Sequence, residues 1–260
     1  MNTITSKDGT SIAYDHSGEG PALILVDGAL CYRAFGPMGP LAPHLAPRFT
    51  VYTYDRRGRG DSGDTAPFAV EREVEDLAAS IAAAGGSAYV YGVSSGAALA
   101  LQAAAHGLPI TRLALFEPPY SLDAESVRRF IEYRTQLDQM LAEGRRGDAA
   151  TLFMRFVGTP DDAIAQMRQA PMWPMFEAVA PTLAYDAAAL GDGTVPAERA
   201  ASITIPALVM DGGASPAAMR DAVRAVADAL PHAQHRTLEG QTHDAATEAV
   251  APALIAFFAG

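Results

Sequence analysis

Two periods of apolar and polar positions run along this chain, and the place where one gives way to the other divides it. Ser11 to His16 follows an Asp8-Gly9 pair, a strong hairpin signal, and reads as a strand. Ala22-Leu23-Ile24-Leu25-Val26 is an unbroken apolar run after Gly20-Pro21, the pattern of a strand buried on both faces. Phe49 to Tyr54 alternates and leads into Asp55-Arg56-Arg57-Gly58-Arg59-Gly60-Asp61-Ser62, a glycine-rich loop. Val70, Val74, Leu77 and Ile81 then recur at helical spacing, on a helix closed by Gly85-Gly86. Ala88 to Tyr91 predicts a short strand and Ala97 to Ala105 a helix of small residues. Leu113 to Phe116 predicts another buried strand, ended by Glu117-Pro118-Pro119 because two prolines cannot continue a ladder. Strands alternating with helices in this way imply parallel pairing through right-handed crossovers.

The alternation breaks near Leu122. From there to Ser202 the period is helical: Val127, Phe130, Ile131, Arg134, Leu137 and Leu141 form one stripe. Met172, Trp173, Met175, Phe176 and Val179 lie in a proline-punctuated apolar stretch further on. Strand pattern returns at Ile205 to Met210. A helix follows on Met219, Val223, Val226 and Leu230, then a short strand over Gln234 to Leu238 and a closing helix on Val250, Leu254 and Phe257. The expected organisation is an α/β core of residues 1–121 and 203–260, with a helical cap of residues 122–202 inserted between two strands.

Composition narrows the partners. At 260 residues with 49% hydrophobic and 19% charged positions, the chain is globular and long enough for one large core. Thirty acidic against 19 basic residues give a formal net charge of -11, which argues against nucleic acid or an anionic membrane surface as a partner. A single cysteine, Cys31, excludes an intrachain disulfide. No apolar run reaches the roughly 20 residues of a membrane span, and the first residues lack a signal-peptide pattern, so a cytoplasmic location is expected. No cofactor is expected: the histidines are scattered without metal-ligand spacing, and no phosphate-binding lysine follows the glycine-rich turn. A small-molecule substrate remains the expected partner, and the sequence does not distinguish a monomer from a homo-oligomer.

Gly92-Val93-Ser94-Ser95-Gly96 stands between a strand and a helix of small residues. A serine on so tight a turn is exposed to an incoming carbonyl, and its neighbours must be small because the helix passes close behind it. A serine hydroxyl needs a base to take its proton. His243, in Gly240-Gln241-Thr242-His243, follows the last strand and precedes the last helix, at the correct end of a parallel sheet. His16, His44, His106, His232 and His235 fit that role less well. Developing negative charge on oxygen needs backbone N–H donors. Ser95 would supply one, and Ala29, in Asp27-Gly28-Ala29-Leu30 after the second long strand, the other. Asp55, Arg57, Arg59 and Asp61 read as structural, holding their loop; Asp244 reads as opening the last helix.

Taken together, Gly92 to Gly96, Asp27-Gly28-Ala29, Tyr54 to Gly60 and Gly240 to His243 resemble the α/β-hydrolase family over nearly the whole chain. That resemblance implies an eight-stranded, mostly parallel sheet with helices on both faces and a helical cap after strand six. The family usually has His-Gly where this chain has Asp27-Gly28, and often a His where it has Val93. A third departure touches the chemistry. The family's usual triad acid follows strand seven, and Ser215 stands at that position here. Glu117, directly after strand six, is the residue assigned instead, as in some dehalogenase relatives. Asp211 is a second possibility and the absence of any acid a third.

The resulting expectation is an ester or lactone hydrolase using Ser94, His243 and Glu117, with Met172, Trp173, Met175 and Phe176 walling an apolar pocket. Two alternatives stay open on sequence alone. One is a cyclase, lyase or isomerase on the same fold working by proton transfer through His243; the other is a catalytically silent binding protein.

Overall fold

The computed structural model describes residues 1–260 throughout. The chain opens with β1 (Asn2–Thr5) and β2 (Ser11–Ser17), joined by a turn in which the Ser6 N–H donates to the Thr10 carbonyl. Then come β3 (Ala22–Val26), α1 (Met38–Leu45), β4 (Thr50–Tyr54), α2 (Val70–Ala83), β5 (Ala88–Val93), α3 (Ser95–Ala105) and β6 (Ile110–Phe116). Six helices follow before the next strand: α4 (Ala124–Ala142), α5 (Arg146–Phe156), α6 (Asp161–Gln169), α7 (Trp173–Val179), α8 (Leu183–Ala189) and α9 (Ala197–Ala201). β7 (Ala207–Gly212), α10 (Ala217–Ala229), β8 (Ala233–Leu238) and α11 (Thr247–Ala259) complete the chain.

The eight strands form one sheet in the order β1-β2-β4-β3-β5-β6-β7-β8. Only β1 and β2 run antiparallel to their neighbours; β4, β3, β5, β6, β7 and β8 are parallel. Successive side chains on a strand face opposite sides, so an unbroken apolar strand feeds two cores at once. β3 illustrates this. Ile24 and Val26 enter a core with Leu77, Val90, Leu99, Leu113 and Val209, built under α2, α3, α10 and the inserted helices. Leu23 and Leu25 enter a second core with Leu45, Phe116, Leu254 and Phe258, built under α1 and α11. This is the fold expected from the sequence, with two boundary corrections. β8 begins at Ala233, one residue before the expected Gln234, and Asp244 lies exposed in the loop before α11 rather than at its start. The Gln241 side chain, not Asp244, receives the Ala246 N–H at that helix start (2.8 Å).

The inserted helices sit against α2 and α3 through α8. The Tyr185 ring stacks on Phe68 with centroids 3.7 Å apart, and its hydroxyl donates to Asp64 (2.7 Å). Close backbone approach fixes the junction of β5 and α3. A Cβ on Gly92 would lie 2.4 Å from the Gly96 carbonyl oxygen, and one on Gly96 would lie 2.3 Å from that of Val26. Neither obstacle is a movable side chain. Gly96→Ala is therefore expected to destabilise by about 3 kcal/mol or more, the upper range for overpacking. Urea denaturation would measure it, and a loss under about 1 kcal/mol would show that the junction relaxes.

Candidate active site

Ser94 is the hinge residue between β5 and α3, with φ 56° and ψ -127°. A positive φ in a residue with a Cβ is strained, and it persists because both flanks are pinned. The Ser94 N–H donates to the Phe116 carbonyl (2.9 Å), and α3 begins at once with a run of buried small residues. The turn leaves Ser94 partly exposed while Ser95, Gly96 and Ala97 are buried. The loop after β3 lies against it: a Cβ on Gly28 would be 3.1 Å from Ser94 Cβ and 3.7 Å from its Oγ. The Ala29 N–H has no protein acceptor. Ser95, as the first residue of α3, has no intrahelical acceptor for its own N–H. One unengaged amide thus directly follows the serine, and a second belongs to the residue after Gly28, which packs against it.

His243 follows β8 and packs beside Phe116, ring centroids 6.4 Å apart, next to the residue whose carbonyl fixes Ser94. Its Nδ1 lies 2.7 Å from Glu117 Oε2, while its Nε2 has no protein partner. Glu117 has no exposed surface, and its Oε1 receives the Gly212 N–H at 2.8 Å. The Glu117 backbone takes φ 45°, and its own N–H donates to Met210 (3.0 Å). Leaving β6 in this conformation, the chain turns the side chain across the end of β7 toward the loop that holds His243. Burial opposes its ionisation. The hydrogen bond with His243, the Ser215 hydroxyl beside it and the Gly212 N–H more than offset that and hold the carboxyl below its ordinary range.

The other residues singled out in the sequence separate clearly. Asp211 is buried at the end of β7, within 3.4 Å of Arg220 Nε and of His235 Nε2, and makes no contact with His243. Ser215 is buried beside Glu117, and its hydroxyl makes no hydrogen bond within the usual geometry. Of Met172, Trp173, Met175 and Phe176, Trp173 and Phe176 are buried; Phe176 meets Phe35 edge-on at 5.5 Å. Met175 lines a cleft of about 530 Å³ with Tyr32, Arg33, Asp15 and Asp61, and Met172 is exposed at the start of α7.

The charged loop after β4 does more than hold itself. Arg56, Arg57 and Arg59 are fully buried. Arg57 forms a forked pair with Asp76 (2.7 Å to each oxygen) and reaches Asp8 (2.9 Å). Asp55 receives the backbone N–H groups of Arg33 and Asp61. Arg56 forms a forked pair with Glu73 (2.7 and 2.8 Å) and donates to Asp186 Oδ1 (2.7 Å) and the Asp27 carbonyl (3.2 Å). Arg59 donates to the Gly28 carbonyl (2.6 Å) and to the same Asp186 oxygen (2.8 Å). Asp186, on α8, was not singled out in the sequence. The signal was there: with Leu183, Ala187 and Leu190 it occupies the buried stripe of its helix, where a charge has to be paired.

Matches with known proteins agree with this architecture. Residues 20–254 match the model of the alpha/beta hydrolase family. The crystal structure of an alpha/beta hydrolase from Sphaerobacter thermophilus is 61% identical and covers 99% of this chain and 100% of its own, with a TM-score of 0.90. This chain belongs to the α/β-hydrolase family. More distant folds include the enol-lactonase from Burkholderia xenovorans (23% identity, all of both chains, TM-score 0.69). An esterase from a Rhodococcus species is 21% identical, covering 100% of this chain and 98% of its own, with a TM-score of 0.70. No protein of curated function matches the sequence.

Asp27, standing where the family commonly has histidine, is 2% exposed and leaves Oδ1 without a hydrogen bond. Burial raises its pKa from 3.8 to about 7, because Arg59 and Arg56 only partly offset the lost hydration. Between those two values the folded chain carries a proton that the unfolded chain has released, so stability falls as pH rises through that window. Asp27→Asn is expected to raise the melting temperature at pH 8 and to change it little at pH 4. About 2–4 °C should be gained per kcal/mol recovered in a domain of this size. An equal shift at both pH values would mean that the carboxyl does not titrate there.

Proposed function

We propose that this protein is a carboxylic-ester or lactone hydrolase acting on a small, largely apolar substrate by an acyl-enzyme route. Residues 1–121 and 203–260 would form its core and residues 122–202 a cap over the site. The observation that carries the reading is the 2.7 Å hydrogen bond between His243 Nδ1 and the buried Glu117 carboxylate. It supplies an orienting acid to a histidine packed beside Phe116, whose carbonyl receives the N–H of the strained Ser94, although Ser215 occupies the family's usual acid position. Support of a weaker kind comes from the fold shared with an enol-lactonase and an esterase.

In this mechanism Ser94 Oγ attacks the carbonyl carbon as its proton passes to His243 Nε2. Glu117 stabilises the imidazolium and holds the ring in the tautomer that leaves Nε2 free to accept. Negative charge on the former carbonyl oxygen meets the Ser95 and Ala29 N–H groups. Collapse of the tetrahedral species breaks the C–O bond, and the leaving alkoxide takes the proton from His243. Water then repeats the sequence on the acyl-enzyme and regenerates Ser94. A lactone would release no separate alcohol, since its hydroxyl stays attached to the acyl group.

Intact mass after exposure to a fluorophosphonate tests this directly. Wild type is expected to gain one adduct, Ser94→Ala none, and His243→Ala to react at least about 10³-fold more slowly. Turnover of a short-chain aryl ester should fall in parallel. A well-folded wild type that takes no adduct contradicts the serine mechanism. Turnover that survives Ser94→Ala but not His243→Ala would instead indicate proton-transfer chemistry through His243.

A further inference from the structure

A single carboxylate on the inserted helices is linked both to the Ser95 side chain and, through Arg59, to the peptide that carries the Ala29 N–H. Asp186 is buried, and its Oδ1 accepts three hydrogen bonds: Arg56 Nη1 at 2.7 Å, Arg59 Nη2 at 2.8 Å and Ser95 Oγ at 2.7 Å. Ser95 is the residue whose N–H lies directly after Ser94. Arg59 in turn donates to the Gly28 carbonyl at 2.6 Å. That carbonyl belongs to the same peptide plane as the Ala29 N–H, and in a trans peptide the two point in opposite directions. Holding the Gly28 oxygen therefore fixes the direction of the Ala29 N–H. Arg56 does the same one residue earlier, through the Asp27 carbonyl.

We infer that Asp186 is a positioning residue: it locks both oxyanion donors, Ser95 and Ala29, into one geometry and makes that geometry depend on the seating of α8. The inference rests on the hydrolase reading above for its catalytic consequence, but the coupling itself is a structural claim. Asp186 Oδ2 is buried without a partner while Oδ1 is engaged three times, all in the direction of the two loops. Burial opposes ionisation of Asp186, yet Arg59, Arg56 and the Ser95 hydroxyl together keep its carboxyl below the ordinary range, so it stays a charged acceptor. The linkage spans sequence separations that no local turn could bridge, from α8 to the loops after β3, β4 and β5.

Two variants separate the possibilities. Ser95→Ala removes the hydroxyl bond to Asp186 and the long contact from Arg56 (3.5 Å) while keeping the Ser95 N–H; Asp186→Asn weakens all three bonds at nearly constant volume. With an aryl ester, Ser95→Ala is expected to lower kcat about 10-fold and Asp186→Asn about 100-fold, with KM changed less than about threefold. The double variant should be no worse than Asp186→Asn alone, since the two changes break one shared contact. Amide hydrogen exchange gives a readout independent of activity. In Asp186→Asn, peptides covering 27–31 and 94–97 should both exchange faster, while β7 and α11 stay protected. Should Asp186→Asn fail to fold, Ser95→Ala decides by itself: exchange in 94–97 must quicken. Unchanged exchange in the 94–97 peptide of Ser95→Ala, or wild-type kcat in both folded variants, would overturn the inference. An inactive wild type whose Asp186→Asn variant still loosens both loops would instead count against the hydrolase reading and leave the coupling standing.

Discussion

The crowding of backbone on backbone where β5 turns into α3 is the constraint on which the rest of the structure depends. Gly96 touches the carbonyls of Val26 and Asp27, and Gly92 touches that of Gly96, with no side chain between them. Only at that separation can α3 lie flat on the sheet while Ser94 is lifted clear in a left-handed conformation. The contact also presses the loop after β3 against Ser94, with Gly28 packed on the serine side chain. A sheet assembled from the same strands but with a bulkier junction would keep its core and lose this corner.

Beneath the corner, three arginines are buried, which is costly unless each is paired and hydrogen-bonded. Glu73, Asp76, Asp8 and Asp186 supply the counter-charges, with forked geometry at Glu73 and Asp76. Burial of Asp27 outweighs the attraction of Arg59 and Arg56, whose own hydrogen bonds go elsewhere, and its proton is held to about pH 7. Removing one partner would leave an uncompensated charge in the interior, which makes each of these pairs costly to break. The inserted helices are thus joined to the core by polar bonds as well as by the Tyr185–Phe68 stack.

Much of this was legible in the sequence, for reasons that differ from residue to residue. The unbroken apolar runs of β3 and β6 and the helical stripes of α2 and α10 announce buried parallel strands and their crossovers, because burial dictates the period. The Ser94 turn was legible because sterics allow only small neighbours there. Glu117 could be named only as one of three possibilities. Its meeting with His243 depends on a left-handed backbone after β6 and on the end of β7, neither of which leaves a periodic trace. Asp244 was misplaced by three residues from the helix start because the Gln241 side chain, not an acid, receives the first N–H. Met172 and Trp173, adjacent in sequence, part company at the helix start, one exposed and the other buried. Asp186 went unnoticed because its partners lie more than ninety residues away, and a single acid on an apolar stripe reveals that it must be paired but not with what.

On the proposed reading, the orienting acid has moved from the end of β7 to the end of β6, and everything chemical about the site depends on that displacement. The most direct measurement is the rate of fluorophosphonate capture by Glu117→Gln and by the double variant Glu117→Gln with Ser215→Asp. Glu117→Gln is expected to slow capture by about 10²- to 10⁴-fold, and the second substitution to recover at least about tenfold by returning a carboxylate to the neighbouring strand end. Capture by Glu117→Gln at the wild-type rate would contradict the account, since His243 would then need no acid at Glu117.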